Sequence, residues 1–196
     1  MNKEQQDKTL LKWREILDKE GIPFYLNQST CLAIYRDGKM FSYNRSVDLA
    51  ILADDLSSEK ITLLSNYKYL QHETKQPYGI LYFDTDEKTQ IAGCEIQVVY
   101  FKDEWAFYNL GLNICLVWDR KHLDKKNWGK VKYLGLEWNV PGGTDEYLAH
   151  TYGDDWKTPR SSWNWIAEQK NICSWESIMA GKPVISDYNQ VCQHLT

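Results

Sequence analysis

Asp48 is the residue around which chemistry can be built. It interrupts an apolar run, Val47 to Leu52, that reads as a buried strand. A carboxylate in such a strand is costly unless it is paired or holds a cation. Upstream, Ser29 and Thr30 open a short segment that ends at Arg36 and reads as a helix. A helix that starts on small hydroxyl residues leaves backbone N–H groups pointing forward, where an anion can sit. Arg36 adds a guanidinium suited to phosphate oxygens. Ser46 and Asp48 are two residues apart, so on one strand they face the same way. A phosphate-holding helix start beside a strand acid is the chemistry of phosphoryl-group transfer, in which a divalent cation neutralises phosphate charge and activates the attacking oxygen.

Two stretches carry this pattern: Ser29-Thr30-Cys31-Leu32-Ala33-Ile34-Tyr35-Arg36 and Tyr43-Asn44-Arg45-Ser46-Val47-Asp48. They have the layout of a nucleotidyltransferase core. They resemble the LicD and fukutin-related family of phosphotransferases, whose members carry Gly-Thr-Leu-Leu-Gly-x-x-Arg and then Trp-Asp-x-Asp-x-Asp. Ser29 and Ala33 stand where glycines are usual, and Asn44 and Ser46 stand where the family has carboxylates; Asp48 is retained. A third block, Glu137 to Trp156, is similar to the Val-Pro turn, Glu-Tyr-Leu helix and Tyr-Gly-x-Asp-Trp with which the family ends its core. The resemblance runs over residues 5–160.

The resemblance implies an α/β (α+β) fold: a nucleotidyltransferase-like core with a small mixed β-sheet flanked by helices. An aromatic-rich C-terminal cap would follow over residues 161–196, all within one domain of 1–196. It implies metal-dependent transfer of a phosphocholine or phospho-alditol group from a CDP-linked donor to a glycan hydroxyl, with Mg²⁺ or Mn²⁺ as cofactor. Carried over residue by residue, Asp48, Ser46 and Gln97 take the catalytic positions and Asp48 the metal. Ser29, Thr30, Arg36 and Asn44 take the phosphate and substrate side. Gln97 enters because the strand Cys94 to Tyr100 puts it nearest the position of the third acid. Glu95, two residues earlier on the same face, substitutes after a small shift of register. Gln97 equally suits hydrogen bonding to neighbouring backbone. Each neutral replacement removes a charge that Mg²⁺ prefers. A relative that binds nucleotide, phosphate or sugar without turnover therefore stays open. So does a partner-binding protein that uses the fold alone, with the aromatic-rich tail as its interface.

The elements that must position these residues follow from periodicity. Residues 4–19 predict a helix with Leu10, Trp13 and Leu17 on one face and Leu11 and Ile16 beside them; Gly21 and Pro23 stop it. Phe24 to Leu26 predicts a short strand, and 37–42 a turn. A third helix starts at Ser57 and carries its apolar face to Leu70. Gln71 to Pro77 reads as a loop, and Tyr78 to Phe83 and Thr89 to Phe101 as a hairpin about the Asp84–Glu87 turn. Asp84-Thr85-Asp86 invites a metal reading, but acids at a hairpin tip are ordinary solvated turn formers. Trp105 to Asn109 and Ile114 to Trp118 read as extended. Pro141-Gly142-Gly143 breaks a strand, Thr144 caps a short helix and Gly153 ends it. Tyr147, Tyr152 and Trp156 pin that helix to the core, or else Asp154, Asp155 or Trp156 borders the site. Trp163, Trp165, Trp175, Ile166, Ile172 and Ile178 suggest a helical or irregular cap.

Composition sets the outer limits. The chain has 196 residues, 43% of them apolar and 14% aromatic, enough for a real core. A net charge of −4 argues against a general nucleic-acid binder, which needs a basic face. No apolar run is long enough to span a membrane, and the polar N-terminus lacks a signal core, so a cytoplasmic location is expected. The five cysteines are scattered without a Cys-x-x-Cys pair and read as reduced core thiols.

Overall fold

The computed structural model describes residues 2–64, 69–71, 79–83, 93–111, 113–160 and 168–186. Helix α1, Lys3–Lys19, is opened by Asn2, whose side chain accepts from the Gln5 backbone N–H while the Gln5 side chain accepts from Asn2 N. This reciprocal cap satisfies two orphan groups of the first turn. Leu10, Trp13, Ile16 and Leu17 are buried, whereas Leu11 is left outside the packed stripe at 40% exposure.

The chain divides into two compact units. The first holds residues 1–72, 80–99 and 130–140. Its main sheet holds β1 (Tyr25–Leu26), β2 (Ser46–Leu52), β3 (Tyr69–Gln71), β4 (Ile80–Phe83) and the first part of β5 (Gly93–Lys102). β1 runs antiparallel to β2, β2 parallel to β5, β5 antiparallel to β4, and β4 antiparallel to β3. The sheet is therefore mixed, with β2 and β5 at its centre. From Val47 onward β2 is buried at every residue, the signature of a parallel strand covered on both faces. Helix α2, Gln28–Asp37, links β1 to β2 and ends on Gly38 at φ +64°, a left-handed stop that glycine takes without strain. Trp13 of α1 meets Phe83 of β4 at 4.0 Å between ring centroids.

Several expectations change here. Helix α3 spans Ser58–Leu64 only, and Tyr69–Gln71 is a strand rather than the end of that helix. Pairing of Leu70 with Tyr82 across the ladder outweighs the helical spacing of the apolar residues. The turn at 84–87 lies outside the described residues, although β4 and β5 pair as the hairpin requires. A hairpin that the periodicity did not suggest joins β8 (Gly129–Tyr133) to β9 (Leu136–Val140). Its two-residue turn has Leu134 at φ +52° and Gly135 at φ +75°, the left-handed pair that matches strand twist. A leucine at the first of these positions hides the signal.

The second unit holds residues 73–79, 100–129 and 141–196. The last three residues of β5 pair with β6 (Trp105–Gly111), and β6, β7 (Ile114–Asp119) and β10 (Ile172–Ser174) follow in an antiparallel meander. Between them lie α4, Arg120–Leu123, and α5, Thr144–Tyr152. A short α6, Trp175–Met179, follows β10. Thr144 does not cap α5. Gly143 does so at φ +57°, while the Thr144 hydroxyl donates to the Pro141 carbonyl. Tyr147 and Leu148 are fully buried, and Tyr147 stacks on Trp118, whose Nε1 donates to Thr151 Oγ1. Tyr152 and Trp156 are buried too, so the aromatics of the third motif block pack this unit. Trp163, Trp165 and Ile166 lie outside the described residues; Ile172 and Ile178 are core.

Gly142 marks a close approach that this unit needs. Its N–H donates to the His122 carbonyl, and a Cβ added there would come within 2.4 Å of the Asn127 carbonyl oxygen. Backbone must move to admit it. Gly142→Ala is therefore expected to lower stability by about 2–3 kcal/mol, read from the urea midpoint at unchanged slope.

Candidate active site

The site lies in the first unit, where α2 starts over the face of β2. Parallel pairing of β2 with β5 sets Ser46 against Gly93, Asp48 against Glu95 and Ala50 against Gln97. Side chains two apart on a strand share a face. Ser46, Asp48, Glu95 and Gln97 thus all emerge on one side of the sheet. The direct neighbour of Asp48 is Glu95, and Gln97 sits one pair further on. Gln97, expected at the position of the third acid, shares this face, and Glu95 is the acid directly paired with Asp48.

Asp48 is held by α2 at several points. The Ser29 hydroxyl donates to Asp48 Oδ2. The backbone N–H groups of Thr30 and Ser29 also bond its carboxylate. The Thr30 hydroxyl accepts from the Asp48 backbone N–H at 2.8 Å, and the Asn27 backbone N–H donates to the Asp48 carbonyl at 3.1 Å. The anion at the helix start is therefore the protein's own carboxylate. Asn44 Nδ2 donates to Ser29 Oγ at 2.8 Å, which orients that hydroxyl toward Asp48. Ser46 Oγ donates to Glu95 Oε1 at 3.0 Å. Gln97 Oε1 accepts from Asn27 Nδ2 at 3.3 Å.

Arg36 falls elsewhere. It occupies the last turn of α2, seven residues from Ser29, or about 10 Å along the axis at 1.5 Å per residue. There its guanidinium forks onto Asp37 at 2.7 and 2.9 Å and lies over the Phe41 ring. Thr30 is fully buried, with its hydroxyl spent on Asp48 N. Of the residues assigned from sequence, the structure brings together Ser29, Thr30, Asn44, Ser46, Asp48 and Gln97, and sets Arg36 apart. Asn27 is an addition that no periodicity marks. Glu95 could be found as the second polar residue alternating with Gln97 in an apolar strand.

Two neighbouring carboxylates, Asp48 buried and Glu95 half-buried, repel one another. Burial is the main force on Asp48 and lifts its carboxyl to about 7; the Glu95 charge adds to the rise, and the Ser29 and Thr30 donors oppose it. Burial also raises Glu95, with Ser46 pulling the other way. Among the described residues no cationic side chain is paired with either acid. All the remaining groups at the site offer neutral oxygens or amides. The donor set is hard and oxygen-only. It fits one Mg²⁺ or Mn²⁺ ion, which protein sites commonly hold by one or two carboxylates with water or substrate phosphate completing the shell. No group of three or more His, Cys, Asp or Glu residues placed to hold a metal exists among the described residues.

The mixed sheet flanked by helices is nucleotidyltransferase-like in fold. The lincosamide antibiotic adenylyltransferase LnuA in its lincomycin-bound crystal structure superposes with a TM-score of 0.51 at 13% identity, covering 76% of this chain and 92% of that one. The antibiotic-resistance factor ANT(2'')-Ia gives a TM-score of 0.51 at 9% identity over 99% and 86%. These likenesses concern the fold. Among curated proteins, the human ribitol-5-phosphate transferase FKTN is 28% identical over 161 residues, covering 80% of this chain and 34% of that protein. The mouse protein of that name is 26% identical over 157 residues. These relatives are fukutin, as the motif resemblance anticipates, and the chain spans about a third of their length. No family profile matches the chain. No helix among the described residues is long and apolar enough to cross a membrane. Cys31, Cys94, Cys115 and Cys173 are buried free thiols.

The raised carboxyls make a pH dependence testable. The folded state holds the Asp48 proton more tightly than the unfolded chain does. The resulting stability is complete below the ordinary carboxylate range and is lost as pH rises through about 7. Thermal unfolding between pH 4.5 and 8 should show a fall in melting temperature that Asp48→Asn largely removes. That variant should be the more stable protein at pH 8, because its amide still accepts from Ser29 and no longer repels Glu95.

Proposed function

We propose that this domain transfers a phospho-alditol unit, of the ribitol-5-phosphate kind, from a CDP-linked donor to a glycan hydroxyl. The observation that carries this reading is the pairing of buried Asp48 with half-buried Glu95 at the start of α2, met among the described residues by neutral donors. Kinship with ribitol-5-phosphate transferases supports the phospho-alditol over phosphocholine. A divalent cation bound by Asp48 and Glu95 would neutralise the phosphates and lower the barrier to attack on phosphorus. The chain's own residues set the stage for it. Ser29, oriented by Asn44, fixes the Asp48 carboxylate; Ser46 fixes that of Glu95; Asn27 and Gln97 line the same face with a polar pair. With both acids held before substrate arrives, little reorganisation remains for the reacting complex.

The neutral Ser46 and Asn44 favour a second reading, binding of the nucleotide without turnover. The two are separable by calorimetry and a transfer assay with CDP-ribitol, CDP-choline and CTP, with and without Mn²⁺. Mn²⁺-dependent binding of CDP-ribitol, lost in Glu95→Gln, together with release of CMP in the presence of an acceptor glycan, is the expected result. Binding with no CMP release would establish the second reading. A companion measurement adds charge: Ser46→Asp with Gln97→Asp should enlarge the Mn²⁺-induced rise in melting temperature relative to the unsubstituted protein, and destabilise the metal-free protein.

A further inference from the structure

Gln6 is fully buried in α1, outside the group of residues that form the acid pair. Its Nε2 donates to two backbone carbonyls, Phe41 at 2.9 Å and Asn44 at 3.0 Å. Those carbonyls bracket a turn that closes on itself through Asn44 N donating to Phe41 O at 3.3 Å. The same turn delivers Asn44, whose side chain then orients Ser29 against Asp48. Gln6 Oε1 has no partner among the described residues. A buried amide oxygen left alone is unfavourable, so the position is not optimised for packing. What an amide supplies here, and an apolar side chain of similar volume does not, is two N–H donors at one point.

We infer that Gln6 is a positioning residue for the site. It fixes the backbone on either side of the 41–44 turn and through it sets the Asn44–Ser29–Asp48 chain of hydrogen bonds. This rests on the cation-holding role given above to Asp48, but its geometric content stands on the free protein. Fixing a ligand's orientation through an intermediate residue is how groups behind a metal site tune affinity.

The test uses the full chain and two variants. Gln6→Met keeps volume and loses both donors. Leu10→Val trims a fully buried side chain of the same helix that carries no polar group, and controls for general destabilisation. In the free protein, ¹⁵N-edited spectra should show the Asn44 side-chain amide dispersed and slow to exchange in the unsubstituted protein and in Leu10→Val. In Gln6→Met it should collapse toward random-coil positions. Mn²⁺ affinity, by calorimetry, should fall about tenfold or more in Gln6→Met and stay within twofold in Leu10→Val. An Asn44 amide unchanged in Gln6→Met would overturn the inference. Equal loss of Mn²⁺ affinity in both variants would overturn it too, since that marks a structural role only. If the unsubstituted protein binds no Mn²⁺ while the Asn44 amide still responds to Gln6→Met, the cation role fails and the positioning role stands.

Discussion

The parallel ladder between β2 and β5 is the constraint on which the site depends. It fixes buried Asp48 opposite half-buried Glu95 and thereby brings two carboxylates together. Packing alone gives no reason for that arrangement. The surrounding donors reduce the repulsion without removing it, because each is neutral and carries only part of a charge. Among the described side chains none brings a full positive charge to the pair. A cation bound at such a site would stabilise the fold, which ties the energetics of the fold to the chemistry proposed for it.

The start of α2 serves this constraint. In many phosphate-binding folds the open amides of a helix face the ligand. Here those of Ser29 and Thr30 are turned onto Asp48, with the Thr30 hydroxyl tying the same strand from its backbone side. Helix and strand are thus locked to each other at the residue that matters. Gln28, directly before Ser29, adopts φ +42°, a conformation that glycine takes more readily. The backbone takes this uncommon shape where α2 is brought onto Asp48, as is common where a site is held in a fixed geometry.

Much of this was legible in the residues. An acid inside Val47 to Leu52 could not be an ordinary core residue, and the apolar run around it could only be a covered strand. The α/β class and the mixed sheet followed from the motif resemblance, and the relatives and structural neighbours bear them out. Which residue faces Asp48 was not legible, because ladder register is decided between strands distant in sequence. Matching the motif pointed to Gln97, whereas pairing selects Glu95, two residues away. Arg36 misled for a simpler reason: seven positions along a helix is nearly two full turns, so it and Ser29 stand at opposite ends. Gln6 gave no sign at all, since one polar residue in the first turns of a helix ordinarily faces solvent. The hairpin at Leu134-Gly135 escaped because its left-handed turn begins on a residue that seldom takes that shape.

The same ladder has a consequence in time. Ser46 meets Gly93 only after the whole intervening chain, with α3, β3 and β4, has been drawn closed. Closing so long a segment is an entropic search, and contacts of that separation slow folding relative to local ones. The two acids are therefore strangers for most of the folding reaction, and their repulsion acts only once the central strands have zipped. Its weight falls on how long the native state survives more than on how fast it forms. A cation arriving at the finished site would then act chiefly as a latch on unfolding, lengthening the life of a structure that it had no part in assembling.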